Sequence, residues 1–495
     1  TAGIKARRYR DAMLPGSRPV HAGVSGSFEG LDDDLSLLGA PFVDGTLRIR
    51  DWISASFSMF IYGSTKYPSS GYNVPGTYSP FPDLVSDTAD VGPIKILQDW
   101  TSALTIGTSD FYFQSGLIRS SFGPFYDNGV VVGPQAARAG HFSVNYRRPT
   151  WSFEMLWLEL VATTSSGKED SRFPDKHVMS HIFTFKPMPE FELSLIESIV
   201  WGGRIEPLYL IPFNQLFAAQ SMADFGDNSF LGLMARWSFI RNAKFFGQLY
   251  VDDFHFNDII RLHINSKYKL AGELGIIWAP ERGPLQSVSF DYTAVLPYMY
   301  THMRSLDEKT YGDRYPSQVS TSPSLHSTYT GQPNYLDYSH AGRNLGADLD
   351  PNSDRVTIRT TWRTHPSLDI TLLGYFSRHG NASDNKIADK RMDGRYHDGT
   401  IFDDGNNDGE WNDGTGPYGT SDDYENNYDY LRFLIQPFLE TKLAGGVNLS
   451  WRLPTPMGDF TFNVEYLAEY CWNRNLVPEN NSLVHYWSIG GSYRY

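Results

Sequence analysis

Hydrophobic and polar side chains alternate with a period of two along the C-terminal part of the chain. From Phe460 to Trp472 the even positions are all apolar or aromatic, whereas the odd positions include Glu465 and Glu469. The segment Val484–Tyr495 continues the alternation and ends on an aromatic residue. The first run is about twice as long as a typical strand of about five or six residues. It suits a tilted strand that crosses a hydrocarbon layer about 25 Å tall. We therefore predict membrane-spanning strands whose carboxylate-bearing face lines a lumen, the alternative being an edge strand of a soluble sheet.

The links between such runs alternate in length along the chain. Short links, most with Pro or Asn turn chemistry, lie at 186–190, 240–243, 280–286, 364–367 and 454–458. Long polar links lie at about 161–176, 202–228, 301–354, 379–428 and 473–483. Outer-membrane barrels alternate in this way between periplasmic turns and external loops, and they have even numbers of strands. The pattern predicts an all-β fold, a transmembrane antiparallel β-barrel of about 18 strands, with 16 as the next choice. Seventeen strands are visible, and the remaining one is expected within residues 1–45.

The domain organisation follows from this pattern. Residues 1–17 contain a basic segment and are predicted to form a periplasmic arm or a short helix. Residues 18–495 are predicted to form a single barrel with large external loops at about 301–354 and 379–428. The chain starts at Thr1 and not at Met, which suggests a mature end after removal of a signal peptide. We therefore expect the protein in the outer membrane of a Gram-negative-type (diderm) bacterium.

Composition agrees with a barrel. Aromatic residues make up 15% of the 495 residues, hydrophobic residues make up only 41%, and mean hydropathy is −0.37. Since no apolar run approaches the length of about 18 residues that a transmembrane helix needs, the chain is expected to cross a membrane only as strands.

The net charge of −14 argues against a nucleic-acid partner, which requires a basic surface. The one cysteine, Cys471, excludes an internal disulfide, and its position predicts the same face as Glu469.

The segment 404–412 has the spacing of the first half of a calcium-binding loop. Oxygen donors at alternate positions and a Gly at the sixth position are typical of such loops. The candidate metal ligands are Asp404, Asn406, Asp408, Glu410 and Asn412. The Glu expected at the twelfth position is missing, because Thr415 stands there. Calcium is therefore the only cofactor that the sequence suggests, and a solvated external loop is the alternative.

The same loop carries aromatic residues among acidic ones. Aromatic faces beside carboxylates commonly bind sugar rings, so Trp411, Tyr418 and Tyr424 are candidate glycan contacts. Tyr428 and Tyr430 could also contact glycan, but a place in the girdle of aromatic residues at the membrane interface is a competing explanation for these two.

Catalytic motifs are missing from the sequence. There is no nucleophile elbow, phosphate-binding loop, zincin helix or dinucleotide fingerprint, and we expect a protein that is not an enzyme. His177 and His181 have a zinc spacing only on a helix. In a strand they share one face, and we expect them in the lumen or at its rim.

Several segments between about residues 140 and 380 resemble the Wzi family of outer-membrane capsule-assembly barrels. The segments that carry this resemblance are Lys176–Pro187, Trp201–Arg204, Leu210–Asn214, Asp227–Gly232, Gly247–Phe254, and His340–Gly346 running into Asp350–Arg355. The helical periplasmic portion of the family is not evident in the N-terminal part. The resemblance implies an outer-membrane barrel that helps to hold surface polysaccharide as a binder.

The functional expectation is a non-enzymatic barrel that binds or organises surface polysaccharide through the loops 301–354 and 379–428. Its expected partners are outer-membrane lipid, surface polysaccharide, and other outer-membrane or surface proteins. Two alternatives remain open: a porin-like channel for passive diffusion, and a structural anchor for a larger surface assembly.

Overall fold

Eighteen antiparallel strands close into one barrel in the computed structural model of the protein. Each strand pairs with the next one along the chain, and the first strand pairs with the last. The structure describes residues 20–31, 34–65, 89–123, 129–133, 136, 138–163, 172–223, 225–252, 269–297, 299–300, 335–340, 343–380, 433–434 and 439–495. The predicted fold class and strand number are confirmed.

The first nine strands are β1 (Val20–Leu31), β2 (Asp34–Arg50), β3 (Ile53–Ser64), β4 (Ile94–Gly107), β5 (Phe111–Ile118), β6 (Ala139–Arg147), β7 (Trp151–Thr163), β8 (Arg172–Met188) and β9 (Phe191–Gly202). The other nine are β10 (Asn228–Trp237), β11 (Ala243–Val251), β12 (Leu270–Trp278), β13 (Leu285–Val295), β14 (Ser353–His365), β15 (Leu368–Gly380), β16 (Leu439–Thr455), β17 (Gly458–Trp472) and β18 (Ser482–Arg494).

Smaller elements lie in the links. Ala89–Val91 pairs with β4 without joining the ring, and Ser339–His340 pairs with Arg343–Asn344. Among the described residues, the helical elements are the 3-10 helices Pro207–Leu210 and Arg474–Leu476 and the α-helix Leu216–Met222. Among the described residues, no helix is long and apolar enough to cross a membrane.

The two ends of the barrel differ in their links. One end, called here the short-turn end, carries tight turns such as those between β8 and β9 and between β16 and β17. The opposite, long-link end carries the extended connections, including residues 296–352 and 381–438. The β2–β3 turn at Asp51 and Trp52 contains no Gly, Pro or Asn, so the sequence pattern does not separate β2 from β3. The strand that the pattern left unresolved is β2.

The barrel closes where β18 pairs with β1. Trp487 stands opposite Gly30, and Tyr493 stands opposite Val24. A Cβ atom built on Gly30 would lie 2.3 Å from Nε1 of Trp487, so the indole ring covers the space that a side chain would need. The prediction that the aromatic C-terminal strand closes the barrel is therefore confirmed.

The alternation of side chains divides the wall into an apolar outer face and an inner face. On β17 the outer face carries exposed Phe462 and Val464, whereas Glu469 and Cys471 point inward and are buried. The predicted parity of these four positions is confirmed. Near the short-turn end, the outer face carries a ring of aromatic side chains that include Phe111, Tyr146, Trp151, Phe185, Trp237, Phe245 and Trp278. Such a ring marks a membrane interface.

Candidate functional site in the lumen

Two of the long links fold into the barrel and pack against the inner faces of β7–β13. They contribute the described residues within 129–136, 299–300 and 335–349, which together are called the lumen plug. The wall residues beneath the plug share a face that is opposite to exposed Phe183 and Leu195, so they point inward. The buried cluster comprises Val130, Val131, Val132, Ala136, Ala139, Leu156, Leu158, Leu160, Val178, Ile182, Ile196, Val200, Phe230, Met234, Tyr250, Ala271, Val295, Met299, Tyr300, Tyr338, Leu345 and Ala347.

Aromatic rings form the centre of this cluster. The ring of Tyr338 lies 4.8 Å from that of Phe230, 5.5 Å from that of Tyr250 and 5.8 Å from that of Tyr300, measured between centroids. Phe230 and Tyr250 also stack on each other at 5.1 Å. Rings at these separations contribute packing energy beyond their buried area. The plug is therefore packed like a protein core on this side of the lumen.

The hydroxyl of Tyr300 joins the two links. It donates a hydrogen bond to the carbonyl of Val130 at 2.8 Å and accepts one from the amide of Ala347 at 3.0 Å. Burial raises the pKa of the Tyr300 hydroxyl, so the neutral phenol needed for this pair of bonds is the favoured form.

A buried ion pair ties the plug to β8. The ammonium group of Lys176, which is fully buried, bonds the carboxylate of Asp337 and donates to the hydroxyl of Ser339 at 3.2 Å. Ser339 in turn donates to the second oxygen of Asp337 at 2.8 Å. Removing one member of a buried pair leaves an uncompensated charge. This three-residue network therefore fixes the position of residues 337–339 against the wall.

Backbone groups of the plug and the wall are also bonded to side chains. Nδ1 of His340 accepts a hydrogen bond from the amide of Val161 at 2.9 Å, so its Nε2–H donates to the carbonyl of Arg138 at 2.8 Å. The amide of Val130 donates to Oε1 of Gln248 at 2.9 Å. These bonds satisfy backbone groups that burial would otherwise leave without a partner.

The inner face of the wall from β14 to β17 has a different character. Tyr375 donates a hydrogen bond to Glu469, and Lys442 pairs with Glu440 at 3.0 Å. Further inward positions on these strands carry charged residues, namely Arg359, Arg452 and Glu465. The described lumen is thus filled by a mainly apolar plug beside β7–β13, where buried charged residues such as Lys176, Glu273 and Asp291 also lie, and it is lined by charged residues beside β14–β17.

The structure corrects the prediction for His177 and His181, which was wrong. Both side chains lie on the outer face of the barrel, on the side of exposed Phe183, and not in the lumen or at its rim. They are buried because the link between β9 and β10 folds over them. Nδ1–H of His181 donates to the carbonyl of Asn214 at 3.0 Å.

The predicted calcium ligands and glycan contacts, Asp404 to Asn412 together with Tyr418 and Tyr424, lie outside the described residues. They therefore stay predictions. The basic arm predicted at residues 1–17 also lies outside the described residues. Within the described ranges, no group of three or more His, Cys, Asp and Glu side chains is placed to hold a metal ion.

Sequence reasoning missed the Lys176–Asp337 network. The two residues are 161 positions apart, and Asp337 lies in a long polar link that has no local pattern. The part of the β9–β10 link that covers the outer face is easier to recognise in the sequence, because the chain from Pro207 to Ala223 contains no charged residue.

The chain has the fold of an outer-membrane β-barrel. Among solved structures, the chain is similar to Wzi of Escherichia coli, described as an outer-membrane protein involved in group 1 capsule assembly and a carbohydrate-binding β-barrel. That match has 12% sequence identity and a TM-score of 0.51, and it covers 99% of this chain and 87% of that one. Since identity is this low, the likeness concerns the fold alone.

Two solved structures of proteins from other species match over a similar span. OccAB2 of Acinetobacter baumannii has 8% identity and a TM-score of 0.45, and it covers 96% of this chain and 97% of that one. OprD of Pseudomonas aeruginosa has 10% identity and a TM-score of 0.45, with 96% and 94% covered. No protein-family model matches the chain, and no curated protein sequence matches it.

Proposed function

We propose that the protein is a non-enzymatic outer-membrane barrel that binds or organises polysaccharide at the cell surface. The observation that carries this proposal is the lumen plug. A diffusion channel needs a continuous path of water, whereas the plug fills one side of the lumen with buried aromatic and aliphatic side chains. A plugged barrel acts as a rigid mount, and we assign glycan contact to the link 379–428 and to those residues of the link 301–354 that are not part of the plug.

The first test is single-channel recording from the purified protein in a planar bilayer. The wild type is expected to give no stepwise current. A silent recording alone does not prove insertion, so the matched variant is Tyr300→Ala, which removes the ring and the hydroxyl that join the two links. Current from this variant would show that the barrel inserts and that the plug blocks it. Stable current from the wild type would contradict the proposal.

The second test measures glycan binding directly. Purified surface polysaccharide is titrated against the protein in nanodiscs, first with the wild type and then with Trp411→Ala and Tyr424→Ala. Both substitutions are expected to weaken binding by roughly tenfold, the cost of a lost ring contact of about 1.4 kcal/mol. Tyr428→Ala is the control, because Tyr428 is a candidate girdle residue. Equal binding by all four proteins would contradict the assignment of the loop.

A porin-like channel is the second candidate, and the charged inner wall from β14 to β17 favours it. Charged side chains on an inner wall suit a lumen that contains water. If the wild type conducts, neutralising Glu465 is expected to change the ratio of cation to anion permeability.

A structural anchor for surface proteins is the third candidate, and it predicts stoichiometric copurification of a partner without glycan binding.

A further inference from the structure

The link between β9 and β10 lies on the outer wall of the barrel. Residues 203–223, called here the outer flap, contain the 3-10 helix Pro207–Leu210 and the α-helix Leu216–Met222. The flap packs on Phe153, Met155, Met179, Ile199 and Trp201, and all five side chains are buried. Their strand positions share the face of exposed Phe183 and Leu195, which is the outer face.

Ring stacking and hydrogen bonds hold the flap to the wall. The ring of Phe213 stacks on that of Phe153 with centroids 4.3 Å apart. The carbonyl of Asn214 accepts a hydrogen bond from His181 at 3.0 Å. The amide of Phe217, in the first turn of the α-helix, donates to Oε1 of Glu197 at 2.5 Å.

The flap reaches far along the strands. Its long-link end packs near His177, since Trp201 lies between His177 and Tyr209 with ring centroids 5.3 Å and 5.1 Å away. Its other end reaches Phe153, which pairs with Phe183. Phe153 is two positions from Trp151, one of the aromatic residues that encircle the outer face near the short-turn end. The strand from His177 to Phe183 is about 20 Å long at roughly 3.3 Å per residue. Because the hydrocarbon layer of such barrels is about 25 Å tall, the flap lies at the depth of the membrane.

Charged residues are confined to the long-link end of the flap. Arg204 bonds Asp227 at 3.0 Å and Glu206 at 3.3 Å, and Asp227 also accepts from the hydroxyl of Tyr209 at 2.8 Å. The carboxylates of Asp227 and Glu206 therefore compensate the charge of the Arg204 guanidinium. From Pro207 to Ala223 the chain has no charged residue, although 20% of all its residues are charged.

The exposed surface of the flap is mostly apolar and carries no charged side chain from Pro207 to Ala223. The large apolar side chains exposed there are Ile205, Ile211, Phe213, Phe217 and Met222, with exposed fractions of 73%, 52%, 69%, 48% and 89%. The exposed polar side chains of the same stretch are the uncharged ones of Gln215 and Ser221. This surface continues the exposed apolar band of the bare wall beside it, formed by residues such as Phe185 and Leu195. An apolar surface of this kind, at this depth, matches acyl chains in the same way as the bare wall does.

The flap also shields two polar side chains of the outer face from hydrocarbon. His181 and Glu197 stand opposite each other on the outer face, where bare polar groups would meet hydrocarbon. The flap covers both and supplies a hydrogen bond to each. Some polar groups of the flap are bonded within it, namely Nδ2 of Asn214 with the carbonyl of Leu208 and the amide of Ala219 with the carbonyl of Gln215. Backbone at membrane depth requires such internal bonds.

We propose that the outer flap is embedded in the hydrocarbon layer and that its exposed apolar side chains bind the acyl chains of membrane lipid. The flap is then part of the membrane-facing surface, although its place in the chain is that of an external loop. This proposal does not depend on whether the barrel binds polysaccharide or conducts.

Spin labelling tests the proposal. Single cysteines replace Phe217 and, separately, Ile211 in a Cys471→Ser background, and each protein is reconstituted in phosphatidylcholine liposomes. Collision of the label with oxygen, which concentrates in hydrocarbon, is compared with collision with a water-soluble nickel chelate. Leu372→Cys on the bare wall is the lipid control, and Glu479→Cys in the β17–β18 link is the aqueous control.

The expected result is that labels at both flap positions give an oxygen-to-nickel ratio within about twofold of Leu372→Cys and well above Glu479→Cys. A ratio like that of Glu479→Cys would overturn the proposal, because the flap would then face water. Low collision with both reagents, together with spin–spin broadening between molecules, would overturn it in favour of a second copy of the chain. Heat-dependent mobility in gels verifies that each variant is folded before it is measured.

Discussion

Lys176 on β8 forms a buried ion pair with Asp337 of the β13–β14 link inside the barrel. We expect Lys176→Met to destabilise the plug by about 3–5 kcal/mol, because the Asp337 carboxylate would remain buried without a cation. The double variant Lys176→Met/Asp337→Leu is expected to recover most of this loss, since both charges are gone. Hydrogen exchange of residues 335–349 measures the change. If the single and double variants exchange equally fast, the pair does not fix the plug.

The hydroxyl of Tyr300 is expected to hold the two links of the plug together. Tyr300→Phe keeps the ring but leaves the Ala347 amide and the Val130 carbonyl without this partner, at a cost of about 1–3 kcal/mol. Exchange of the Ala347 amide should accelerate by roughly tenfold or more. Tyr493→Phe is the control, since it loses a hydroxyl bond to Met457 at the short-turn end. Unchanged exchange at Ala347 in Tyr300→Phe would argue against the junction.

Alkaline pH is expected to release the plug. The pKa of Tyr300 in the folded protein is raised above the ordinary value of 10.0 by burial. The stability that its neutral form contributes is therefore complete below about pH 10 and is lost as pH rises towards the folded pKa. Absorbance of tyrosinate at 295 nm should show a group that ionises only on unfolding. Tyr300→Phe should reduce this late absorbance change by the contribution of one tyrosine without abolishing it, because burial also raises the pKa of neighbouring Tyr338. A late absorbance change of unaltered size in Tyr300→Phe would contradict the prediction.

Closure of the barrel is expected to depend on Gly30. Gly30→Val places a side chain where the ring of Trp487 lies, so the β1–β18 pair cannot form without displacing the indole. The folded fraction after refolding into detergent micelles, measured by heat-dependent gel mobility, should fall at least severalfold. Gly39→Val is the matched control, because a Cβ on Gly39 meets nothing within 4 Å. Equal yields of the two variants would contradict the closing contact.

The loop from Asp404 to Asn412 is predicted to bind calcium. Terbium is expected to bind in its place and to emit when Trp411 in the same loop is excited. Trp411→Phe should remove most of the emission without changing calcium affinity, whereas Asp408→Asn should weaken binding of both ions. Emission that is the same in all three proteins, or not displaced by calcium, would count against the site.

The wall of the barrel was predictable from sequence because each strand residue faces one of two different surroundings. The alternation on β17 and the closing role of β18 are direct results of this constraint. The plug was not predictable, because its key contacts join distant residues such as Tyr300 and Val130, and neither is distinguished by its neighbours along the chain. His181 was misplaced because parity gives only the choice of face, and its polarity favoured the lumen. His181 can lie on the outer face because the flap shields its ring from lipid and provides a hydrogen-bond acceptor.

The sector β7–β9 is covered on both sides, by the plug within and by the flap outside. Leu158 is buried on one face of its strand, and Met179 is buried on the opposite face of the next. This sector therefore resembles the sheet of a three-layered soluble protein more than a bare barrel wall. It can bury apolar surface through its own chain before lipid is present, whereas bare strands such as β17 gain that burial only in the bilayer. Assembly of the barrel can thus begin from β7–β9, because the plug and the flap cover the apolar side chains of these strands without any lipid.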